Sequence, residues 1–217
     1  SLGATPSQIV VAELEDKGLL TNSPVGHVVE ILGTIDEPGM ETEIAVRKFD
    51  VPYKFSEETK KEIKRFSDSV TKSDLRDRVD LRDIPFVTID GADAKDFDDA
   101  VYCLPVEEGK FRLLVAIADV SHYVKPGCSI DKDAQLRTTS VYFPRRVIPM
   151  LPEELSNGLC SLNPQVDRCT MVCDAIIGAN GLVEAYQFYP AVIRSAARLI
   201  YDNVWAALCN PNGPEAK

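Results

Sequence analysis

The sequence predicts an α+β fold, an antiparallel-rich mixed sheet with helices. Two apolar segments between residues 170 and 189 are joined by the turn signal Ala179-Asn180-Gly181, a pattern typical of a β-hairpin. A third apolar segment, Phe111–Ala118, follows a Gly-containing turn signal in the same way. Residues 55–79 and 191–208 instead carry helix-forming residues in quantity. The 217 residues suffice for one large domain or two small ones.

The opening region, which we end at residue 54, predicts part of a small β-barrel. Residues 8–14 mix apolar and polar side chains as a strand does, and residues 24–33 form a second candidate strand bounded by Pro and Gly. Residues 43–49 fit either a strand or the start of a helix. The region is too short to be a whole barrel.

Residues 55–79 predict a solvent-exposed helix that connects the opening region to the main region, residues 80–217. The segment is charged, lacks Gly and Pro, and begins with Ser56, which is a good N-cap residue. Ile63 and Phe66 lie on a single apolar stripe. We therefore expect one continuous helix with one face packed.

An acidic segment, Asp90–Asp99, lies between two predicted strands of the main region, residues 86–89 and 100–104. It contains five aspartates and a single cation, Lys95. Carboxylates this close repel one another, which costs folding free energy unless a cation compensates. A hard divalent cation such as Mg²⁺ prefers oxygen ligands, so the segment predicts a metal site.

The spacing of the acids favours a converging set. Asp96 and Asp98 are two residues apart, so they face the same way in extended backbone. Gly91 permits a loop that brings Asp90 back toward these two and Asp99. One or two ions held there would serve phosphodiester cleavage. The EF-hand pattern does not match, which disfavours a calcium loop. Solvated loop aspartates are the alternative interpretation.

Composition narrows the function classes. The formal net charge of −10 argues against a nucleic-acid-binding surface taken alone, but an enzyme that acts on nucleic acid can have a metal-loaded acidic site. No apolar run approaches a membrane span, and the start of the chain lacks a signal-peptide pattern. The six cysteines form no CxxC pair and only two histidines are present, which disfavours zinc and predicts buried free thiols in a reducing compartment.

Six motifs between residues 78 and 164 occur in an order that resembles one family. They are Arg78–Asp83, Thr88–Val101, Val115–Val124, Thr139–Pro144, Val147–Pro152 and Leu155–Pro164. This set is similar to the ribonuclease II and ribonuclease R family, whose catalytic module is the RNB domain. The resemblance covers roughly residues 25–208. It implies that residues 80–217 are the N-terminal part of an RNB domain and that residues 1–54 are the tail of a cold-shock OB-fold.

The resemblance also implies an activity and a set of site residues. The family's four active-site aspartates fall on Asp90, Asp96, Asp98 and Asp99, and all four are candidate Mg²⁺-site and catalytic residues. Asp90 and Asp99 would be direct ligands, Asp96 would position the site, and Asp98 would matter most for the chemical step. The implied reaction is 3′→5′ hydrolysis of RNA to nucleoside 5′-monophosphates, with a single-stranded 3′ end as substrate. A cytoplasmic, monomeric full-length protein is implied as well.

Three further residues are candidate RNA contacts. Tyr142 matches the family's aromatic clamp, since a ring can stack on any base, although a core tyrosine is the alternative. Arg145 and Arg146 follow it and would touch phosphates, although a solvated surface pair is equally plausible. His122 is expected to be a hydrogen-bonded structural histidine, because two-metal chemistry needs no histidine base.

The chain departs from the family at two points. Thr138 stands where the family usually has Gly, so a positive φ there would strain the backbone before Tyr142. The family's RNB domain is also much longer, and its later part and the C-terminal S1 domain have no counterpart in these 217 residues. The chain is therefore expected to be a fragment that is weakly active or inactive alone.

Two other function classes stay open at this level. One is a non-catalytic RNA-binding or regulatory relative in which the acidic loop is only structural. The other is a two-metal nuclease that acts on DNA, because selectivity for RNA depends on 2′-hydroxyl contacts that these motifs do not locate. All four aspartates are intact, which favours the enzyme over the non-catalytic relative.

Overall fold

The structure is a computed structural model that describes residues 2–15 and 25–214. Pro24, the first residue of the second predicted strand, lies outside the described residues. The chain divides into two compact units. One runs through Phe55 and also takes in Gln135–Met150, and the other comprises Ser56–Ala134 and the chain from Leu151 onward. Residues 135–150, which the sequence placed in the main region, thus group with the opening region.

Runs of strands are separated by short runs of helices along the chain, as is typical of an α+β fold. The strands are β1 (Gln8–Leu14), β2 (Gly26–Thr34), β3 (Val79–Asp80), β4 (Val87–Asp90), β5 (Asp99–Pro105), β6 (Phe111–Ala118), β7 (Val141–Phe143), β8 (Arg146–Ile148), β9 (Asp167–Ile177), β10 (Val183–Arg194) and β11 (Ala197–Ile200). The α-helices are α1 (Met40–Lys48), α2 (Glu57–Ile63), α3 (Val120–Tyr123), α4 (Ser129–Arg137) and α5 (Tyr201–Cys209). A 3-10 turn covers Glu107–Gly109, and a π-helical turn covers Glu154–Leu159.

The first unit contains two antiparallel pairs, β1 with β2 and β7 with β8. The segment that fitted either a strand or a helix, residues 43–49, is helical through Lys48, where α1 ends. Met40 and Val46 of that helix are buried. Arg47 ties the helix to β2, because its Nη2 lies 2.7 Å from Glu30 Oε1 while Nη1 pairs with Glu43 within the helix.

The second unit is built on one seven-stranded sheet in the order β11-β4-β5-β6-β9-β10-β3. Four of its six neighbouring pairs are antiparallel, and the pairs β11–β4 and β10–β3 are parallel. The predicted antiparallel-rich mixed sheet is therefore confirmed. Its core includes fully buried apolar side chains: Phe86, Leu114, Ala116, Leu155, Leu162, Val172 and Ile193.

The continuous helix predicted over residues 55–79 was wrong in its extent. Helix α2 ends at Ile63, although Ser56 is its N-cap and accepts a hydrogen bond from the Thr59 N–H at 3.2 Å. Turns follow, because polar side chains such as Asp74 accept backbone N–H groups and compete with helical hydrogen bonds. Phe66 then packs edge-to-face on another ring of the core, with 5.9 Å between centroids.

The helix predicted over residues 191–208 was also wrong in its first half. Residues 191–194 continue β10, and Ala197–Ile200 form β11, so the helix begins only at Tyr201. Ala191 and Ile193 are fully buried. Pairing with β9 and β4 satisfies the backbone of this segment, and tertiary context of this kind overrides helix propensity.

The structure also tests two expectations drawn from composition, one on the cysteines and one on membrane spans. All six cysteines are free thiols, as predicted, but only Cys160 and Cys169 are buried, while Cys103 and Cys209 are exposed. Among the described residues, no helix is long and apolar enough to cross a membrane.

Candidate active site

The four candidate aspartates lie where two neighbouring strands meet one loop. Asp90 is the last residue of β4 and Asp99 is the first residue of β5. The acidic loop, residues 91–98, joins them and carries Asp96 and Asp98. Because β4 and β5 are antiparallel neighbours, the end of one strand lies beside the start of the other. The fold therefore brings together the acids that the sequence singled out.

Phe97 anchors the acidic loop to the core. Its side chain is only 3% exposed, between two acids that are half-buried or exposed. Its backbone N–H donates to Ser161 Oγ at 3.0 Å, and its carbonyl accepts the Leu162 N–H at 2.8 Å. The buried Phe97 therefore fixes the loop to the core at the position between Asp96 and Asp98.

Arg198 of β11 holds the other end of the loop. Its Nη2 donates to the carbonyl oxygens of Gly91 at 3.1 Å and Ala92 at 2.6 Å. Its guanidinium also lies over the Phe97 ring, 4.8 Å from the centroid. Sequence reasoning missed this residue because it fell inside the incorrectly predicted helix. The available signal was a lone cation within the apolar run Ala197–Ile200.

The four carboxylates share one electrostatic environment. Burial raises the pKa of Asp90, and the charges of Asp99 and Asp96 raise it further, while Arg198 partly offsets them. Although Asp98 is exposed as a residue, desolvation of its carboxylate is the largest cause of its raised pKa, followed by the charges of Asp96, Asp99 and Asp90. The neighbouring acids thus make ionisation of Asp90 and Asp98 harder, as expected of a set that needs a cation.

Two observations fit a divalent cation and one does not. The donors are oxygen atoms of mutually repelling carboxylates, and Asp90 Oδ2 is buried without a hydrogen-bond partner. Against this, no group of three or more His, Cys, Asp or Glu side chains within the described residues is arranged to hold a metal ion. The oxygen donors are therefore of the kind that binds Mg²⁺. Their side chains, however, are not grouped as the ligands of a bound ion would be.

The candidate RNA contacts belong to the first unit. Tyr142 is 68% exposed on β7, so it is not a core tyrosine. Arg145 is exposed and lines a cavity of about 440 Å³, whereas Arg146 is half-buried and ion-paired with Glu43. Thr138 has a φ of 66°, the left-handed backbone in which a β-branched side chain is strained. The strain expected if Thr138 replaced a required Gly is therefore present.

His122 is a structural residue, as the sequence indicated. Its Nε2 lies 2.9 Å from Asp74 Oδ1, and its backbone N–H donates to Asp119 Oδ1 at 3.2 Å. Asp119 in turn pairs with the buried Arg78 at 2.5 Å. The ring of His122 therefore makes its hydrogen bond with Asp74 rather than with the acidic loop.

Comparison with known families agrees with this geometry. A family model described as the RNB domain matches residues 78–217, which include the whole acidic loop. The chain belongs to the RNB-domain family. A second model, described as a cold shock domain, matches residues 1–56.

Relatives of this RNB-family chain include Ribonuclease R of Vibrio parahaemolyticus, which is 52% identical over 206 residues. That match covers 95% of this chain but only 25% of the relative, so the chain spans about a quarter of that protein's length. Two structures of Mycoplasma genitalium RNase R are also similar. The complex with double-stranded RNA has a TM-score of 0.90 at 32% identity, covering 98% of this chain and 38% of that one. The complex with ribose methylated single-stranded RNA has a TM-score of 0.87 at 31% identity, covering 98% and 33%.

The same RNB fold also occurs in yeast Ssd1, whose structure is described as that of a pseudonuclease. The TM-score is 0.73 at 17% identity, with 97% of this chain and 27% of that chain covered. At this identity the likeness shows the fold alone.

Proposed function

We propose that the protein is a Mg²⁺-dependent 3′→5′ exoribonuclease that hydrolyses RNA to nucleoside 5′-monophosphates. The observation that carries the proposal is the placement of the four aspartates at the end of β4, on the acidic loop and at the start of β5, where burial and then the charges of neighbouring acids raise the pKa values of Asp90 and Asp98. They lie within the part of the chain that matches the RNB domain. The similarity to Ribonuclease R over 95% of the chain supports the same activity.

The roles of the four acids follow from their positions. Asp90 and Asp99, fixed at the ends of β4 and β5, would hold Mg²⁺, and Asp96 on the loop would complete or orient the site. Mg²⁺, when bound, supplies Lewis-acid stabilisation of the negative charge on the phosphate oxygens. Asp98 is exposed and has a raised pKa, which suits a carboxylate that accepts a proton from the attacking water.

The RNA would be held by residues of the first unit. Tyr142, with its exposed ring, would stack on a base at the 3′ end without regard to sequence. Arg145 is exposed and would contact a phosphate, whereas Arg146 would first have to leave Glu43 and would contribute less. Complexes of the Mycoplasma genitalium protein with single- and double-stranded RNA support RNA as the ligand class.

Further aspects of this proposal concern the whole protein. Because the chain spans about a quarter of the length of a similar Ribonuclease R, we propose that residues 1–217 alone cleave RNA weakly or not at all.

Six free thiols fit a reducing compartment, which supports a cytoplasmic location. A monomeric state stays a prediction from the family resemblance and is checked by light scattering.

The test compares two aspartate variants in the protein expressed from its complete reading frame. Asp98→Asn is expected to abolish release of mononucleotides from a uniformly labelled single-stranded RNA while leaving RNA binding nearly unchanged. Asp93→Asn is the matched control, because Asp93 is an exposed acid on the same loop with no assigned role. EDTA is expected to stop the wild-type reaction. Full activity of Asp98→Asn, or of the wild type in EDTA, would overturn the mechanism, and cleavage of a matched DNA strand at the same rate would overturn the substrate.

A second candidate is a non-catalytic RNA-binding relative. The observation that favours it is that the described carboxylates are not arranged as a metal-binding group. The shared fold of a pseudonuclease shows that the architecture alone does not guarantee cleavage. In that case the protein would bind single-stranded RNA equally well with and without Mg²⁺ and would release no mononucleotides.

A further inference from the structure

We propose that Arg198 is a positioning residue that holds the acidic loop in the shape that brings the four aspartates together. For its catalytic consequence the proposal rests on the proposed function of that site. The hold on the loop itself needs neither metal nor RNA, so it can be tested separately.

The contacts of Arg198 reach both ends of the loop. Nη2 binds the carbonyls of Gly91 and Ala92, the two residues that directly follow Asp90, and thereby fixes the direction in which the chain leaves β4. The guanidinium face covers Phe97, the residue between Asp96 and Asp98. A planar cation with several donors suits this combined task, which an ammonium group cannot perform.

The sheet register puts Arg198 in this place. Strand β11 runs parallel to β4, with Arg198 opposite Thr88 and Ile200 opposite Asp90. On the strand beside β4, Arg198 therefore precedes the residue opposite Asp90 by two positions, which is one side-chain repeat of a strand. Its side chain extends along the strand pair toward the loop, where its carbonyl acceptors lie.

Arg198 does not act as a salt-bridge partner of Asp90. Within the described residues no hydrogen bond or ion pair joins the two, although the Arg198 charge reaches Asp90. Asp90 Oδ2 and Arg198 Nε are each buried without a hydrogen-bond partner. The hydrogen bonds of Arg198 thus go to loop carbonyls, which leaves the Asp90 oxygen available to another ligand.

Two roles for Arg198 predict opposite changes in cation affinity. If Arg198 acted only through its charge, removing it would strengthen binding of a divalent cation, and a lysine would leave binding unchanged. If it positions the loop, both Arg198→Met and Arg198→Lys weaken binding, by about tenfold, as loss of residues that orient metal ligands typically does.

The experiment uses the full chain in three forms, Arg198→Met, Arg198→Lys and the matched control Arg112→Lys. Arg112 is also a strand arginine with two hydrogen bonds, but its partner is Asp174 rather than the loop. Hydrogen exchange of peptides covering residues 91–98 is measured by mass spectrometry without metal or RNA. Mn²⁺ binding is then measured by electron paramagnetic resonance.

We expect exchange in the loop to rise about tenfold in both Arg198 variants, as loss of charge-assisted hydrogen bonds implies, and to stay at the wild-type rate in Arg112→Lys. Unchanged loop exchange in either folded Arg198 variant would overturn the proposal. So would an equal rise throughout the chain, or Mn²⁺ binding that tightens in Arg198→Met and is unchanged in Arg198→Lys. If Arg198→Met does not fold, Arg198→Lys carries the test. If Arg198 protects the loop from exchange but the protein expressed from its complete reading frame releases no mononucleotides, the proposed function is overturned and the positioning role stands.

Discussion

Two clusters of aspartates in the second unit differ in how their charge is compensated. Asp119 lies beside Arg78, with 9% and 6% of their side chains exposed, and Asp74 faces His122. Burial raises the pKa of Asp119, but hydrogen bonds from Arg78 and Ser121 more than offset it and the net shift is downward. In the acidic segment Asp90–Asp99 the pKa values of Asp90 and Asp98 are raised instead, because burial and neighbouring acids act in the same direction.

This difference separates structural charge from functional charge. Arg78 also donates to the backbone carbonyls of Asp74 and Thr170, so the first cluster is a closed network that fastens the 64–78 turns to the sheet. The acidic loop has carbonyl contacts from Arg198 but no cation paired with its acids among the described residues. An acid set that destabilises the metal-free chain and yet is held in place is what a cation-binding site requires.

The largest expected effect is at the closed network. Asp119→Ala would leave the buried Arg78 without its partner, and breaking a buried pair of this kind costs about 3–5 kcal/mol. Asp80→Ala is the matched control, since Asp80 pairs with the partly exposed Arg82, and such surface pairs contribute about 1 kcal/mol or less. Urea unfolding of the two variants measures the difference. Equal losses would mean that the buried network has no special structural role.

The two clusters are expected to respond to pH with opposite sign. Asp119 and Asp74 have pKa values below the usual 3.8, so their stabilisation is present above that pH and is lost as pH falls through the lowered values. Asp90 and Asp98 have raised pKa values, so they destabilise the metal-free chain at neutral pH. That penalty disappears as pH falls toward the ordinary aspartate value. The unfolding free energy of wild type relative to Asp98→Asn should therefore rise on mild acidification, and a constant difference would contradict the repulsion.

At Thr138 the folded chain has a free-energy cost that is steric, whereas the cost in the acidic segment is electrostatic. Its φ of 66° is strained for a β-branched residue, so Thr138→Gly should relieve strain. Because Gly also gains entropy in the unfolded chain, we expect a net stabilisation of about 0.5–1 kcal/mol. Thr139→Gly, one residue further on, should destabilise the chain. A loss of stability in Thr138→Gly would mean that the threonine contacts, including its hydroxyl to the Gln135 carbonyl, outweigh the strain.

The smallest expected effect is the gain in stability from neutralising one acid of the loop. Without metal, Asp98→Asn should raise Tm by about 1 °C, since a shift of this size corresponds to about 0.25–0.5 kcal/mol in a chain of this length. Asp93→Asn should leave Tm unchanged, because Asp93 is exposed. Calorimetry of the three proteins in EDTA decides whether the Asp98 charge destabilises the metal-free chain or has no effect on its stability. A lower Tm for Asp98→Asn would place that carboxylate in a stabilising contact.

The sequence predicted what depends on short-range pattern and missed what depends on pairing across the sheet. Asp90, Asp96, Asp98 and Asp99 could be recognised because local spacing and motif similarity both mark them. The strand β6 was predicted at its observed bounds for the same reason. Residues 191–200 look helical by composition and become strands only because β9 and β4 offer partners far away in sequence. Arg198 is a lone cation in this apolar run, but only the pairing of β11 with β4 places it beside the acidic loop.

The most direct test of the central claim, that these aspartates form a divalent-cation site, is calorimetric titration of Mg²⁺ into the chain. Wild type and Asp93→Asn should bind Mg²⁺ with the same affinity, and Asp90→Asn should lose that binding, because it removes a carboxylate fixed at the end of β4. Equal binding by all three proteins, or none by wild type, would contradict the account.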